Sequence, residues 1–265
     1  MSLICPFVFQ DRPKTNKMLE TLENFLRYSA LFILVLKVLI WSFVWTKQEY
    51  LSSYPTKWFT FLIGCLASLA LIEWVLVEYI FHDSFPYYKT HIMPFMEAHN
   101  VDHMTFLNPI HYFVRFAFIG LLFRDLTKDK NWKTFFGYAV LGLILFELVQ
   151  VFIFKSYQGY DSVSPTVKNI FVLGGAGLML YRIYIHPNVS ITLHKNLYFW
   201  ICLGLLLPAL AELFLEFIFT KLYQTDTISF YRWYLVRNAS QILGLILLMI
   251  GIGQVKFLRF LPKEY

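Results

Sequence analysis

The sequence predicts an all-α bundle of seven transmembrane helices, and three features carry that prediction. The composition is 58% hydrophobic and 20% aromatic, with a mean hydropathy of +0.55, well beyond the balance of a soluble domain. Seven apolar stretches each approach or exceed the about 20 residues that a helix needs to cross the hydrocarbon core. The segments between them are short, so one membrane domain over residues 24–265 uses up the chain after an N-terminal tail at 1–23.

The tail contains Arg12, Lys14, Lys17, Glu20 and Glu23, and it lacks the charged-then-apolar-then-small order of a cleaved secretory signal. The first span, 24–46, has Lys37 near its middle. The second, 57–80, has Glu73 and Glu78 toward its end. A loop at 81–104 follows, broken by Pro86 and Pro94, with a short interfacial helix expected from Met96 to His103; a loop of this length inside a compact bundle is usually functional. The third span, 105–123, contributes His111 and Arg115, and the fourth, 133–154, contributes Glu147 and Gln150. The fifth, 167–185, has Gly174, Gly175 and Gly177, with Arg182 at its end. In the sixth, 196–219, Pro208 lies one turn before Glu212 and predicts a kink, and Glu216 follows. The seventh, 228–254, has Arg232, Arg237, Asn238 and Gln241, then Gly244, Gly251 and Gly253. These glycines predict close helix approach.

Lys and Arg are in excess on the side of the C-terminus once the tail is set aside, which by the positive-inside rule puts the N-terminus outside and the C-terminus in the cytoplasm. Alternating span direction then brings Glu73, Glu78, His111, Arg115, Glu147, Gln150, Glu212, Glu216, Arg232, Arg237, Asn238 and Gln241 to one depth in the outer half of the membrane. Lys37 and Arg182 fall outside this layer. Three pairs are four residues apart, His111/Arg115, Glu212/Glu216 and Arg237/Gln241, and each pair projects from one helical face. The simplest pairing joins Arg237 to Glu212 or Glu216, and Arg115 to Glu73 or Glu78. The five Glu residues outnumber Arg115, Arg232 and Arg237 by two. Ionisable groups within a membrane are costly and default to functional-site candidates. The layer therefore predicts a hydrated pocket open to the exterior, suited to a small cationic or zwitterionic ligand, to protons or to a metal.

The loop adds a second candidate. Four of the seven histidines (His82, His91, His99 and His103) lie in it. His99 and His103 have the four-residue separation that lets two imidazoles on one helical turn reach a common Zn or Fe, with His82 as a further donor. His-x-x-His-His is absent, which separates the chain from membrane di-iron oxygenases. The sequence also lacks Gly-x-Ser-x-Gly, a P-loop, a dinucleotide fingerprint and a lysine deep in the last span, which removes serine-hydrolase, nucleotide-driven and retinal-type chemistry. Cys5, Cys65 and Cys202 are odd in number and argue against a disulfide framework. The formal charge of +6 suits contact with anionic headgroups, and the basic residues are too scattered to bind nucleic acid.

The last span, Val236-Arg-Asn-Ala-Ser-Gln-Ile-Leu-Gly-Leu-Ile-Leu-Leu-Met-Ile-Gly-Ile-Gly-Gln, resembles the closing segment of small seven-helix membrane proteins and sensor-kinase membrane modules of Bacteroidota-type bacteria. The resemblance implies a signal-sensing module in the bacterial cytoplasmic membrane. With no output domain after Gln254, it also implies a protein partner in the membrane. The leading expectation is a receptor-like or accessory subunit that binds a ligand or partner through the polar layer. A metal-dependent enzyme acting on a lipid through the segment from His82 to His111, and a cation or proton transporter, are the alternatives.

Overall fold

The computed structural model describes residues 17–51, 56–81, 85–101, 103–127, 129–185 and 196–255. Helices account for the regular structure of these residues: α1 (Lys17–Thr46), α2 (Gln48–Leu51), α3 (Lys57–Val75), α4 (Met93–Ala98), α5 (Asn108–Leu126), α6 (Lys130–Phe152), α7 (Val163–Ile185), α8 (Leu197–Thr225) and α9 (Thr227–Gln254). Seven of them, all but the short α2 and α4, are long and apolar enough to cross a membrane. An α-helix satisfies its backbone hydrogen bonds internally, which lipid demands. The chain thus has the make-up of an integral membrane protein.

Neighbouring contacts close six helices into a ring. In order around it, α1 packs on α3, α3 on α5, α5 on α7, α7 on α8, α8 on α9, and α9 back on α1, while α6 leans on α5 from outside. Large apolar side chains on the outer surface, among them Phe25, Leu39, Phe61, Leu141, Phe152 and Phe217, are exposed. In water that surface would aggregate, and in a bilayer it is solvated by lipid.

Helix ends differ from the sequence expectation in two informative places, and the last turn of a third helix departs from α geometry. α3 continues as a π-helical turn over Leu76–Ile80, with Phe81 N donating to Leu76 O at 2.7 Å. α7 begins at Val163, capped by Asp161, whose Oδ1 accepts from Val163 N at 2.8 Å. α8 and α9 are joined by Asp226 alone, whose non-helical backbone breaks the helix while its side chain accepts from Ser229 N at 3.0 Å and Ser229 Oγ at 2.6 Å. Those two bonds hold the Asp226 carboxyl below its ordinary range.

The helix expected from Met96 to His103 is displaced. α4 ends at Ala98, His99 is its C-cap, and Asn100 has a φ of 52° that stops further helix. His103 opens a separate 3-10 turn, His103–Leu107.

α8 runs unbroken through Pro208, and the close approach expected of small residues falls there. A Cβ on Gly244 would lie 2.5 Å from Pro208 Cγ and 2.6 Å from the carbonyl oxygen of Gly204. Proline cannot donate to that carbonyl, so the bare backbone of Gly244 lies against the group that Pro208 frees. Gly175 abuts Phe123 and Gly251 abuts Trp200, whereas Gly174, Gly177 and Gly253 face open space and play no such part.

Candidate functional site

The polar residues of five ring helices converge on Glu212, on the face of α8 one turn beyond Pro208. Lys168 of α7 donates to Glu212 Oε2, and Gln241 of α9 donates to Oε1 at 2.6 Å. Arg237 Nε lies 3.8 Å from Oε1 and Arg115 Nη1 lies 4.0 Å from Oε2. Those two guanidinium groups stand in ion-pair range but beyond hydrogen-bond reach. Lys37 of α1 is within electrostatic reach of Glu73 and Glu212. Glu212, Lys168 and Arg237 are 6%, 3% and 3% exposed.

Glu216, one turn further along α8, accepts from the hydroxyl of Tyr160. Tyr160 lies in the segment between α6 and α7 and is exposed on one side, so this bond ties the buried cluster to the surface. Burial and the neighbouring Glu216 carboxylate raise the Tyr160 phenol above its ordinary range. The same segment is pinned to the loop before α5, with Thr105 Oγ1 donating to Tyr157 O at 2.8 Å and Gln158 Nε2 donating to His99 O at 2.9 Å.

Arg237 has a half-used guanidinium. Its Cζ sits 4.5 Å over the Tyr234 ring, a favourable cation–π distance, while its buried Nε and Nη1 have no hydrogen-bond partner among the described residues. Next to it, Asn238 Nδ2 donates to Ser29 Oγ of α1 at 2.8 Å, which fixes α9 against α1.

Two expected pairings are corrected. Glu73 takes His111, whose Nε2 donates to Glu73 Oε1 at 2.8 Å, and Arg115 turns to Glu212. Glu78 takes Arg27, with both carboxylate oxygens on Nη2 at 2.9 and 2.7 Å. Glu73 and Glu78 are five residues apart, which sets them about 140° apart around an α-helix, so one faces α5 and the other α1. Arg232 leaves the layer for the same reason. It is five residues before the buried Arg237 and is itself exposed. Gln150 is buried at the end of α6, where its backbone carbonyl accepts from Ser156 N at 3.0 Å.

Lys168 is the functional residue that the sequence pattern leaves out of the polar layer, since the span expected from 167 puts it at the very edge of the membrane. The early start of α7 carries it into the membrane span. The signal was present in Asp161-Ser-Val-Ser-Pro165, a cap residue followed by a first-turn proline. With Lys168 and Lys37 inside the layer, and Glu78 and Arg232 outside it, four acids (Glu73, Glu147, Glu212 and Glu216) face four bases (Lys37, Arg115, Lys168 and Arg237). The charges are unevenly spread. Glu212 has three cations around it, while Glu147 of α6 is 0% exposed and neither of its oxygens has a hydrogen-bond partner among the described residues. The expected surplus of two negative charges is gone, and among the described residues Glu212, Lys168 and Arg237 form a buried cluster in which some polar atoms remain without a partner.

The loop histidines whose side chains are described, His91 and His99, make their contacts within their own segment, His91 stacking on Tyr87. His99 Nδ1 donates to Phe95 O at 2.8 Å, and its ring packs on Phe95 at 4.3 Å. The end of α4 removes the common helical face assumed for His99 and His103. His82 lies outside the described residues. Among the described residues, no group of three or more His, Cys, Asp or Glu side chains converges as metal ligands would. Comparison with protein-family models, with curated proteins and with solved structures returns no match.

Proposed function

We propose that this protein is a receptor-like or accessory subunit of a bacterial cytoplasmic membrane, with its N-terminus outside, that binds a small acidic ligand at the Lys168–Glu212–Arg237 cluster. The observation that supports it most directly is the gathering of Arg115, Lys168 and Arg237 around the single carboxylate of Glu212, with both guanidinium groups held beyond hydrogen-bond reach of it. A guanidinium offers five donors in a fork that matches carboxylate or phosphate. Buried donors left unbonded are costly, so an acidic ligand satisfies Nε and Nη1 of Arg237 and adds a counter-charge for Arg115, while Glu212 keeps Lys168 and Gln241.

Entry runs past Tyr160, whose bond to Glu216 is the outermost link of the cluster. Accommodation moves α8 and α9 relative to each other where Pro208 and Gly204 meet Gly244. That rearrangement is the signal read by a membrane partner. The local sign of charge favours an acidic ligand over the cationic one suggested by the sequence.

Thermal unfolding of the purified protein tests this reading with succinate and phosphate as acidic probes and choline as the cationic control. The acids raise the melting temperature of the native protein, and the rise is lost in Arg237→Gln and Arg115→Gln. Stabilisation by choline alone, or an equal rise in both variants, overturns the assignment.

A further inference from the structure

A second feature, independent of the cluster, lies on the outer surface between α1 and α3. A cavity of about 410 Å3 opens there, lined by Asn24, Arg27, Tyr28, Leu31, Leu34 and Trp74, with Ala30 and Glu78 completing it. Its α1 residues are three or four apart, so they form one stripe along the helix. From Asn24 to Leu34 the stripe runs about 15 Å at the α-helical rise. Chemistry changes along it in one direction. Asn24, Arg27 and Glu78 make the end nearest the start of α1, Tyr28 and Trp74 follow, and Leu31 and Leu34 make the deep end. Ala30 and Leu34 are buried as the floor, whereas Tyr28 and Leu31 stand exposed as walls.

We propose that this groove holds one phospholipid with an ethanolamine-type headgroup, its phosphate on Arg27, its ammonium on Glu78 and one acyl chain along Leu31 and Leu34. Three observations carry the assignment. The order polar, aromatic, aliphatic is the order that a lipid presents from headgroup to tail, and Trp and Tyr favour the level between the two. The charged end displays a cation and an anion side by side, which complements a zwitterion and neither a purely anionic nor a purely apolar occupant. The Arg27–Glu78 bond uses a single nitrogen, Nη2, for both carboxylate oxygens. Among the described residues, the other edge of this largely exposed guanidinium therefore remains open to a phosphate, the geometry that arginine prefers. Glu78 reaches the groove from the π turn over Leu76–Ile80. Glu78 further selects among zwitterions, because an ethanolamine ammonium donates hydrogen bonds and a choline headgroup has no N–H to donate.

Native mass spectrometry of the full chain in detergent, titrated with phosphatidylethanolamine, phosphatidylcholine and phosphatidylglycerol of matched acyl chains, tests the proposal. Phosphatidylethanolamine is retained most strongly, at one per chain. Arg27→Gln lowers retention of all three lipids about ten-fold, the factor that corresponds to loss of one charge-assisted bond. Glu78→Gln removes the preference for phosphatidylethanolamine over phosphatidylglycerol. Leu31→Trp, which fills the groove from an exposed position and leaves the ion pair in place, lowers retention of all three. Equal retention of the three lipids by the native protein, or native retention in Arg27→Gln and Leu31→Trp alike, overturns the proposal, as does a lipid-free dimer that both variants disrupt.

Discussion

On the C-terminal side of Arg115, Lys168 and Arg237 in α5, α7 and α9, the helices meet through aromatic rings and bare backbone, with Phe123, Phe136 and Phe171 5.6 to 6.4 Å apart and Gly175 and Gly251 pressed against Phe123 and Trp200. Toward the opposite ends, the same three helices supply Arg115, Lys168 and Arg237 to the carboxylate of Glu212. Lipid removes the hydrophobic drive between helices and leaves packing and polar bonds to hold them. The apolar end uses packing, which is spread over many contacts. The charged end concentrates its cohesion on one carboxylate. The ligand response proposed above requires that contrast, with re-pairing at the charged end against a packed end that stays fixed.

The largest way to break this contrast is to remove the shared carboxylate. Glu212→Gln leaves Lys168, Arg115 and Arg237 buried without their counter-charge, a change of the kind that costs about 3 to 5 kcal/mol. Unfolding by denaturant in detergent measures it. Adding Lys168→Met to Glu212→Gln restores part of the loss, because coupled neighbours are not additive. If Glu212→Gln unfolds no more readily than the native chain, the charged end does not hold the helices together.

At the packed end, where α8 meets α9, the expected effect is smaller. Gly244→Leu forces a side chain against Pro208 and the Gly204 carbonyl and costs about 1 to 3 kcal/mol, as overpacking does. Gly253→Leu, where nothing lies within 4 Å, leaves unfolding unchanged. Equal effects at the two positions would remove Gly204 and Pro208 from the account of how α9 is seated.

The spans and the shared depth of the polar residues were legible in the sequence because they depend on hydropathy and on the alternation of direction. Pairing was legible only in part. Which face Glu73 or Glu78 presents follows from their five-residue separation, which rotates them apart. Which cation reaches Glu212 depends on the order of helices around the ring, and no local pattern encodes that α7 lies beside α8 while α6 stands outside. The depth of Lys168 was not legible, because α7 begins at Val163, four residues before the expected start at 167, and that sets Lys168 more than a turn further into the span. The histidine pair failed on a single residue, since the left-handed backbone at Asn100 ends the helix that the spacing presupposed.

The smallest effect lies at the link between cluster and surface. Tyr160→Phe removes the bond to Glu216 and costs about 1 kcal/mol, the net value of one hydrogen bond. Its pH dependence has a definite sign. Burial and the Glu216 carboxylate favour the neutral phenol in the folded protein, so the folded-state value lies above the unfolded one. The contribution is therefore complete below the ordinary tyrosine value of about 10 and is lost as the pH rises beyond it, where the unfolded chain ionises first. Melting temperatures recorded from pH 8 to 11 should fall more steeply above pH 10 in the native protein than in Tyr160→Phe. Identical slopes would mean that Tyr160 does not close the cluster, and the entry route past it would have to be abandoned even with the acidic-ligand site intact.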